Sequence, residues 1–194
     1  MKNKIQVLQE MKSYAETNDV PIICDEGLSF LLKTIKENNV KSILEIGTAI
    51  GYSALLMSEP DIKVDTIERD LKRYQEASQF LKPLDYPIHL IYADALLYDG
   101  PLNQYDLIFI DAAKAQYEKF FNKYQHYLKP NGIIVCDNLN FHNLTPEMVS
   151  RNTRQLLRKI NGFKDFLTEN SLYETTFYNV GDGMSISRRK EGQQ

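Results

Sequence analysis

Two hydrophobic rhythms alternate along this chain. Short, nearly unbroken apolar runs occupy residues 42–46, 63–67, 88–92, 106–110 and 133–136. Runs of this length read as buried strands, and buried strands belong mostly to parallel sheets. Between and before them, apolar residues recur at helical spacing. Ile5, Leu8, Met11 and Ala15 predict a helix over 2–17, and Leu28, Leu31, Leu32 and Ile35 predict one over 25–37. Further helices are expected from Tyr52 to Met57, over 71–81, over 117–128 and over 150–167. Pro21 pushes Val20 into an extended conformation and separates the first two helices. Lys129-Pro130-Asn131-Gly132 reads as a turn before the fifth strand. The chain closes differently: runs over 173–180 and 184–188 flank Gly181-Asp182-Gly183, the pattern of a hairpin. Alternating strands and helices imply right-handed βαβ units and a mostly parallel α/β sheet, with an antiparallel strand at its end. No repeat, low-complexity tract or linker interrupts the chain. It is expected to form one domain over 1–194, with N-terminal helices over 1–40 and the α/β core over 41–194.

Several strands end abruptly in acids. Phe109-Ile110 runs into Asp111-Ala112-Ala113-Lys114, and Ile134-Val135-Cys136 into Asp137-Asn138. Ligands in open α/β sheets sit beyond the carboxyl ends of the strands. If these two strands are neighbours, Asp111, Asp137 and Asn138 converge there. Three hard oxygen donors suit Mg²⁺, which keeps positions for water or substrate. Lys114 would lie beside them, where it could take a proton. The first strand ends in Gly47-Thr48-Ala49-Ile50-Gly51, a turn able to approach a nucleotide-like ligand. It is neither G-x-G-x-x-G nor a P-loop, and by itself a structural turn is an equal reading. Glu68 ends the second strand at the spacing of a ribose-binding acid, and Asp94 follows the third. Gly loop, Glu68 and Asp94 together outline a pocket for an adenosine.

Composition narrows the class. The chain has 194 residues, 43% hydrophobic and 25% charged, ordinary for a globular protein. No apolar run is long enough to span a bilayer, and the first residues lack the apolar stretch of a signal peptide, so no membrane partner and a cytoplasmic location are expected. Cys24 and Cys136 have no metal-like spacing. The net charge of −3 gives no global nucleic-acid signal, although a local basic face would suffice.

The stretch Leu44-Glu45-Ile46-Gly47-Thr48-Ala49-Ile50-Gly51-Tyr52-Ser53 resembles the first motif of class I S-adenosylmethionine-dependent methyltransferases. Phe109 to Lys114 with Asp137-Asn138 resembles the metal motifs of catechol and caffeoyl-CoA type O-methyltransferases. The resemblance runs from about Val20 to the C-terminus. It is closer still to the bacterial branch that methylates 5-hydroxyuridine in tRNA, through Asp19-Val20-Pro21-Ile22, Asp111 to Tyr117 and Val180 to Ser187. It implies a Rossmann-like fold of seven strands with helices on both faces. It further implies S-adenosylmethionine contacts from Val20, Glu45, Gly47, Gly51, Tyr52, Ser53, Glu68, Asp94, Ala95 and Asp111. Asp111, Asp137 and Asn138 would bind Mg²⁺ or another divalent cation such as Mn²⁺, and Lys114 would accept the proton. The family's usual assembly is a homodimer, and the N-terminal segment, which often serves its contacts, is shorter here. Asn143 stands where glycine is common and Asn140 where an apolar residue is usual.

The metal chemistry limits the acceptor. A catechol offers two adjacent oxygens, and 5-hydroxyuridine offers its 5-hydroxyl beside the 4-carbonyl. Arg151, Arg154 and Arg158, with Lys159, follow helical spacing and resemble a basic helix in the tRNA-modifying branch. Phe141 could stack on a flipped base and His142 could line the pocket. The first expectation is therefore Mg²⁺-dependent methylation of wobble 5-hydroxyuridine in a tRNA anticodon loop. The alternatives are a small-molecule catechol-type O-methyltransferase and a non-catalytic S-adenosylmethionine- or RNA-binding protein.

Overall fold

Among the described residues, seven strands form one sheet in the order β3-β2-β1-β4-β5-β7-β6. The computed structural model describes residues 3–140 and 150–192. The strands are β1 (Ser42–Ile46), β2 (Lys63–Glu68), β3 (Ile88–Tyr92), β4 (Tyr105–Ile110), β5 (Leu128–Cys136), β6 (Tyr173–Tyr178) and β7 (Met184–Arg189). The first five are parallel, and β7 runs antiparallel between β5 and β6. The helices are α1 (Lys4–Thr17), α2 (Asp25–Glu37), α3 (Tyr52–Met57), α4 (Leu71–Leu81), α5 (Tyr117–Tyr124) and α6 (Arg151–Thr168).

Strand alternation divides the core in two. Leu107 and Phe109 of β4 point to the face covered by α1 to α4, while Ile108 and Ile110 point to the face covered by α5 and α6. Helices on both faces follow from this, as the resemblance implied. Among the described residues, no helix is long and apolar enough to cross a membrane.

Three local expectations change. The buried stripe of α1 is Val7, Met11 and Ala15, and Ile5 is 67% exposed. An i, i+4, i+8 stripe satisfies the packing, and the Asn3–Gln6 capping box fixes the helix start. The helix over 117–128 stops at Tyr124, passes through a 3₁₀ turn at Gln125–Tyr127, and yields Leu128 to β5. Lys129 to Gly132 lie inside β5 rather than before it. Tyr105 pairs with Leu128 but Leu107 pairs with Ile133, so the turn-forming residues bulge out of the ladder. Lys129 anchors that bulge by donating to Asp106 Oδ1 at 2.8 Å and Ser42 Oγ at 3.0 Å.

β1 lies between β2 and β4, so the strand order reverses there. This is the switch point at which open α/β sheets bind ligands. The ladder continues past the strand ends: Gly47 N donates to Ile67 O at 3.1 Å, Ala93 N to Glu68 O at 3.0 Å, Asp111 N to Ile46 O at 3.0 Å and Asp137 N to Ile110 O at 3.2 Å. These bonds hold the glycine loop and the strand-end acids along one rim.

Candidate active site at the carboxyl rim

A cavity of about 390 Å³ opens over that rim, within the range of small-ligand sites. Of the residues expected to contact cofactor, Gly47, Tyr52, Ser53, Glu68, Asp94, Ala95 and Asp111 line it. Lys114, Asp137 and Asn138 line it too, so the glycine loop and the oxygen donors share one chamber. Pro21, Ile22 and Ile23, from the extended strap between α1 and α2, line it as well.

Three expected contacts are not among the lining residues. Val20 is buried in the core beneath the strap. Gly51 has φ +88° and starts α3 against Leu81 and Ala77, where a Cβ would come within 2.9 Å of Leu81 Cδ1. Glu45 is fully buried, because strand alternation turns it toward the face covered by α3. Its carboxyl accepts from the Ser53 and Thr66 hydroxyls. Glu45 thus positions Ser53, which does line the cavity.

Burial pushes the Glu45 carboxyl up to about 8, against the lowering effect of its two hydroxyl donors. A raised folded-state value means the stability it contributes is full below about pH 4.5 and is lost as pH rises toward 8. Glu45→Gln is therefore expected to flatten the fall in melting temperature between pH 5 and 8, read by thermal denaturation across that range.

Glu68 is 9% exposed, and both its oxygens accept backbone N–H groups: Oε2 from Ala49 and Oε1 from Asp70, each at 2.8 Å. The first bond holds Ala49 at φ +47°. Asp94 Oδ1 accepts from Leu96 N at 2.8 Å and shapes the loop carrying Ala95. Lys123 of α5 braces that loop by donating to the carbonyls of Ala95, Leu96 and Tyr98 at 2.8, 2.9 and 2.6 Å. Lys123→Met leaves three carbonyls without this donor. It is expected to weaken S-adenosylmethionine binding about fivefold, an effect the size of one lost hydrogen bond, measurable by calorimetry.

At the other end, Asn138 clamps the two acids. Its Nδ2 donates to Asp111 Oδ1 at 2.9 Å and its backbone N to Asp137 Oδ1 at 2.6 Å. Asn138 has φ +61°, a conformation asparagine tolerates better than most residues. Asp137 is 2% exposed. Burial first, and then the charge of Asp137, holds Asp111 above the usual carboxylate range. Burial first, with the charge of Asp182 adding, does the same for Asp137, and Lys114 opposes both shifts. A buried acid pair whose charges repel, completed by an amide oxygen, is a donor set that a hard divalent cation would neutralise. The residues fit such an ion, which Asp111, Asp137 and Asn138 would hold.

Asp182 was not expected here. It sits at the tip of the β6–β7 hairpin and lines the cavity. Leu139 N donates to Gly183 O at 2.9 Å and Asn140 N to Asp182 O at 2.7 Å, docking the tip on the segment after Asn138. A Cβ on Gly183 would come within 2.7 Å of Asn140 N. Two glycines bracketing one acid were the available signal. Asn140 itself does not line the cavity; its side chain bonds Lys164 Nζ and Asn179 Oδ1, both at 2.9 Å.

The basic helix does not enter the site. Arg151, Arg158 and Lys159 are exposed and Arg154 is half-buried, while Leu157, Ile160, Phe163 and Leu167 form the buried face of α6. No described α6 residue lines the cavity. Phe141, His142 and Asn143 lie outside the described residues.

Comparison with known proteins gives the family. A family model described as O-methyltransferase matches residues 2–190. Tapetum-specific methyltransferase 1 of Arabidopsis thaliana is 30% identical, covering 95% of this chain and 86% of its own. Caffeoyl-CoA O-methyltransferase of Populus kitakamiensis is 27% identical, covering 92% and 82%. Among solved structures, a Staphylococcus aureus protein provisionally named a caffeoyl-CoA O-methyltransferase superposes with TM-score 0.87 at 38% identity, covering 94% of this chain and 92% of that one. A Bacillus cereus O-methyltransferase solved with S-adenosylhomocysteine shares the fold, with TM-score 0.78 at 21% identity over 98% and 92%. With a family match spanning nearly all of its length, the chain belongs to the S-adenosylmethionine-dependent O-methyltransferases of the caffeoyl-CoA type.

Proposed function

We propose that the chain methylates one oxygen of a small catechol-type acceptor, with Mg²⁺ or Mn²⁺ held by Asp111, Asp137 and Asn138. The observation that carries this reading is the meeting of those three oxygen donors with Lys114 in the same cavity as the glycine loop and Glu68. S-Adenosylmethionine would supply the sulfonium methyl, and the cation would supply Lewis acidity to a bound acceptor oxygen.

The chain's own residues do the rest. Glu68, Asp94 and Ala95 line the cavity; Glu68, at the spacing of a ribose-binding acid, would hold the ribose, with Asp94 and Ala95 toward the adenine. Gly47 lets the β1 turn lie against the Asp111 backbone, bringing the donor and acceptor halves together. Lys114 stands at the acceptor end and takes the hydroxyl proton. Holding the acceptor oxygen in line with the methyl group supplies much of the acceleration. The strap residues Pro21 to Ile23 help exclude water from the cofactor side.

The acceptor class rests on the donor set, which suits two adjacent oxygens, and on relatives named for caffeoyl-CoA. Methylation of tRNA 5-hydroxyuridine is the second reading. In its favour are the same two-oxygen bite and the exposed Arg151, Arg158 and Lys159. Against it, that basic surface lies opposite the packed face of α6 and outside the cavity.

Purified protein with S-adenosylmethionine and Mg²⁺, offered caffeoyl-type catechols and 5-hydroxyuridine-bearing tRNA in separate reactions, separates the two. Radiolabel is expected on the catechol. Label on the tRNA with none on any catechol would replace the first reading by the second.

A further inference from the structure

The tip of the β6–β7 hairpin is wedged between two walls of the site. On one side, Gly181 N donates to Glu26 Oε2 of α2 at 3.3 Å, and a Cβ on Gly181 would lie 2.6 Å from Cys24 Sγ. On the other, the carbonyls of Asp182 and Gly183 accept from Asn140 N and Leu139 N, the two residues that follow Asn138. The Asn140 side chain is tied in turn to Lys164 of α6 and to Asn179, just past β6. Asp182 is half-buried and lines the same cavity as Lys114, Asp137 and Asn138. The bond that docks it uses its backbone carbonyl, so its placement does not depend on its carboxylate. The other charged residues of the cavity have parts in the proposed reaction. Glu68, Arg69 and Asp94 follow β2 and β3, where the cofactor would lie, and Arg69 Nη1 is 3.9 Å from Asp94 Oδ2. Asp111 and Asp137 would hold the cation, and Lys114 takes the proton. Asp182 has no part in that scheme, yet it brings a further acid to the segment that follows the metal pair.

We infer that Asp182 is a specificity-determining residue, its carboxylate selecting catechols whose side chain is cationic or neutral over those whose side chain carries a carboxylate. The other charges of the site offset one another. Asp111 and Asp137 balance a divalent cation. Glu68, Arg69 and Asp94 together carry a single negative charge, which offsets the net positive charge of S-adenosylmethionine. Lys114 must be neutral to take the hydroxyl proton, so at that stage it does not offset Asp182. The Asp182 charge therefore sets the sign of the field that an acceptor substituent meets. In a partly enclosed cavity that field acts through less water than on an open surface, and it attracts or repels more strongly. Selectivity is a difference of affinities, to which repulsion of the wrong acceptor contributes as well as attraction of the right one. The inference rests on the catechol reading given under the proposed function.

The test compares kcat/KM for the ammonium-bearing dopamine, the carboxylate-bearing dihydrocaffeate and the uncharged methylcatechol, each with S-adenosylmethionine and Mg²⁺. The proteins are the wild-type chain, Asp182→Asn and Asp182→Glu. Asparagine keeps the shape of the side chain and the backbone bonds of the tip. The ratio of dopamine to dihydrocaffeate is expected to fall about tenfold in Asp182→Asn, dopamine losing and dihydrocaffeate gaining relative to methylcatechol. Asp182→Glu keeps the charge and is expected to keep most of the ratio. A merely structural role would lower all three acceptors alike and leave the ratio where it was. A ratio in Asp182→Asn within about twofold of wild type would overturn the inference, as would an equal fall of the ratio in Asp182→Glu. Loss of all three activities in Asp182→Asn would overturn it too, by placing the residue in the fold or the chemistry. If the wild-type chain methylates none of the three catechols, the proposed function fails and this inference falls with it.

Discussion

Asp137→Ala is expected to abolish metal-dependent methyl transfer, by about 10³-fold in turnover, while the dissociation constant for S-adenosylmethionine stays within about twofold of wild type. Asp137 follows β5, and β4 separates it from the glycine loop after β1 and from Glu68 at the end of β2, all along the same cavity. The same substitution has an opposite effect on stability. Burial and the nearby Asp182 hold the Asp137 carboxyl above the usual carboxylate range. Folding therefore prefers the protonated acid, and the stability it contributes is lost as pH rises through the folded-state value. Removing the acid removes that loss. In chelator at pH 8, Asp137→Ala should melt higher than wild type, so a dead enzyme that is more stable is the expected pairing. Isothermal titration with S-adenosylmethionine and thermal melts on the same preparation check both halves.

Gly47→Ala is expected to disable both halves of the site at once. Gly47 has φ +102°, a region that strains any side chain, and a Cβ there would overlap the Asp111 carbonyl group, lying 2.8 Å from its carbon. Backbone cannot retreat as the end of a flexible side chain can. Strain and overlap together should cost about 3 kcal/mol or more, and the shift of Asp111 should weaken metal and cofactor binding together. Gly162→Ala is the contrast. Gly162 lies in α6, and a Cβ added there would meet nothing within 4 Å, so alanine should stabilise by about 0.5–1 kcal/mol. Chemical denaturation of the two variants side by side measures the difference.

What could be read from the sequence follows physical lines. The strand-end residues Asp111, Asp137 and Asn138 were legible because a buried strand that stops at an acid leaves few places for that acid except the rim. Gly47 and Glu68 were legible for the same reason. Glu45 and Gly51 belong to the glycine motif and Val20 to the strap before α2, but all three are buried off the cavity, and a resemblance does not state which residues touch the ligand and which support those that do. The facing direction of Glu45 depends on strand alternation combined with the placement of α3. The stripe of α1 turned because Ile5 and Val7 are equally apolar, and only packing chooses between them. Asp182 was hidden for a different reason. It comes to the site through a contact between the β6–β7 tip and Asn140, about forty residues apart in sequence, and local patterns carry no record of such a contact. The arginines of α6 were legible only in part. Helical spacing grouped them on one face correctly, but could not say that the face lies opposite the packed one.

The most direct measurement is the initial rate of methyl transfer to a catechol and to the matching monophenol, each with Mg²⁺ and with chelator. A cation held by Asp111, Asp137 and Asn138 and chelated by two adjacent acceptor oxygens predicts transfer to the catechol with Mg²⁺ alone, and background rates in the other three reactions. Equal methylation of the monophenol, or a catechol rate that survives chelator, would contradict it.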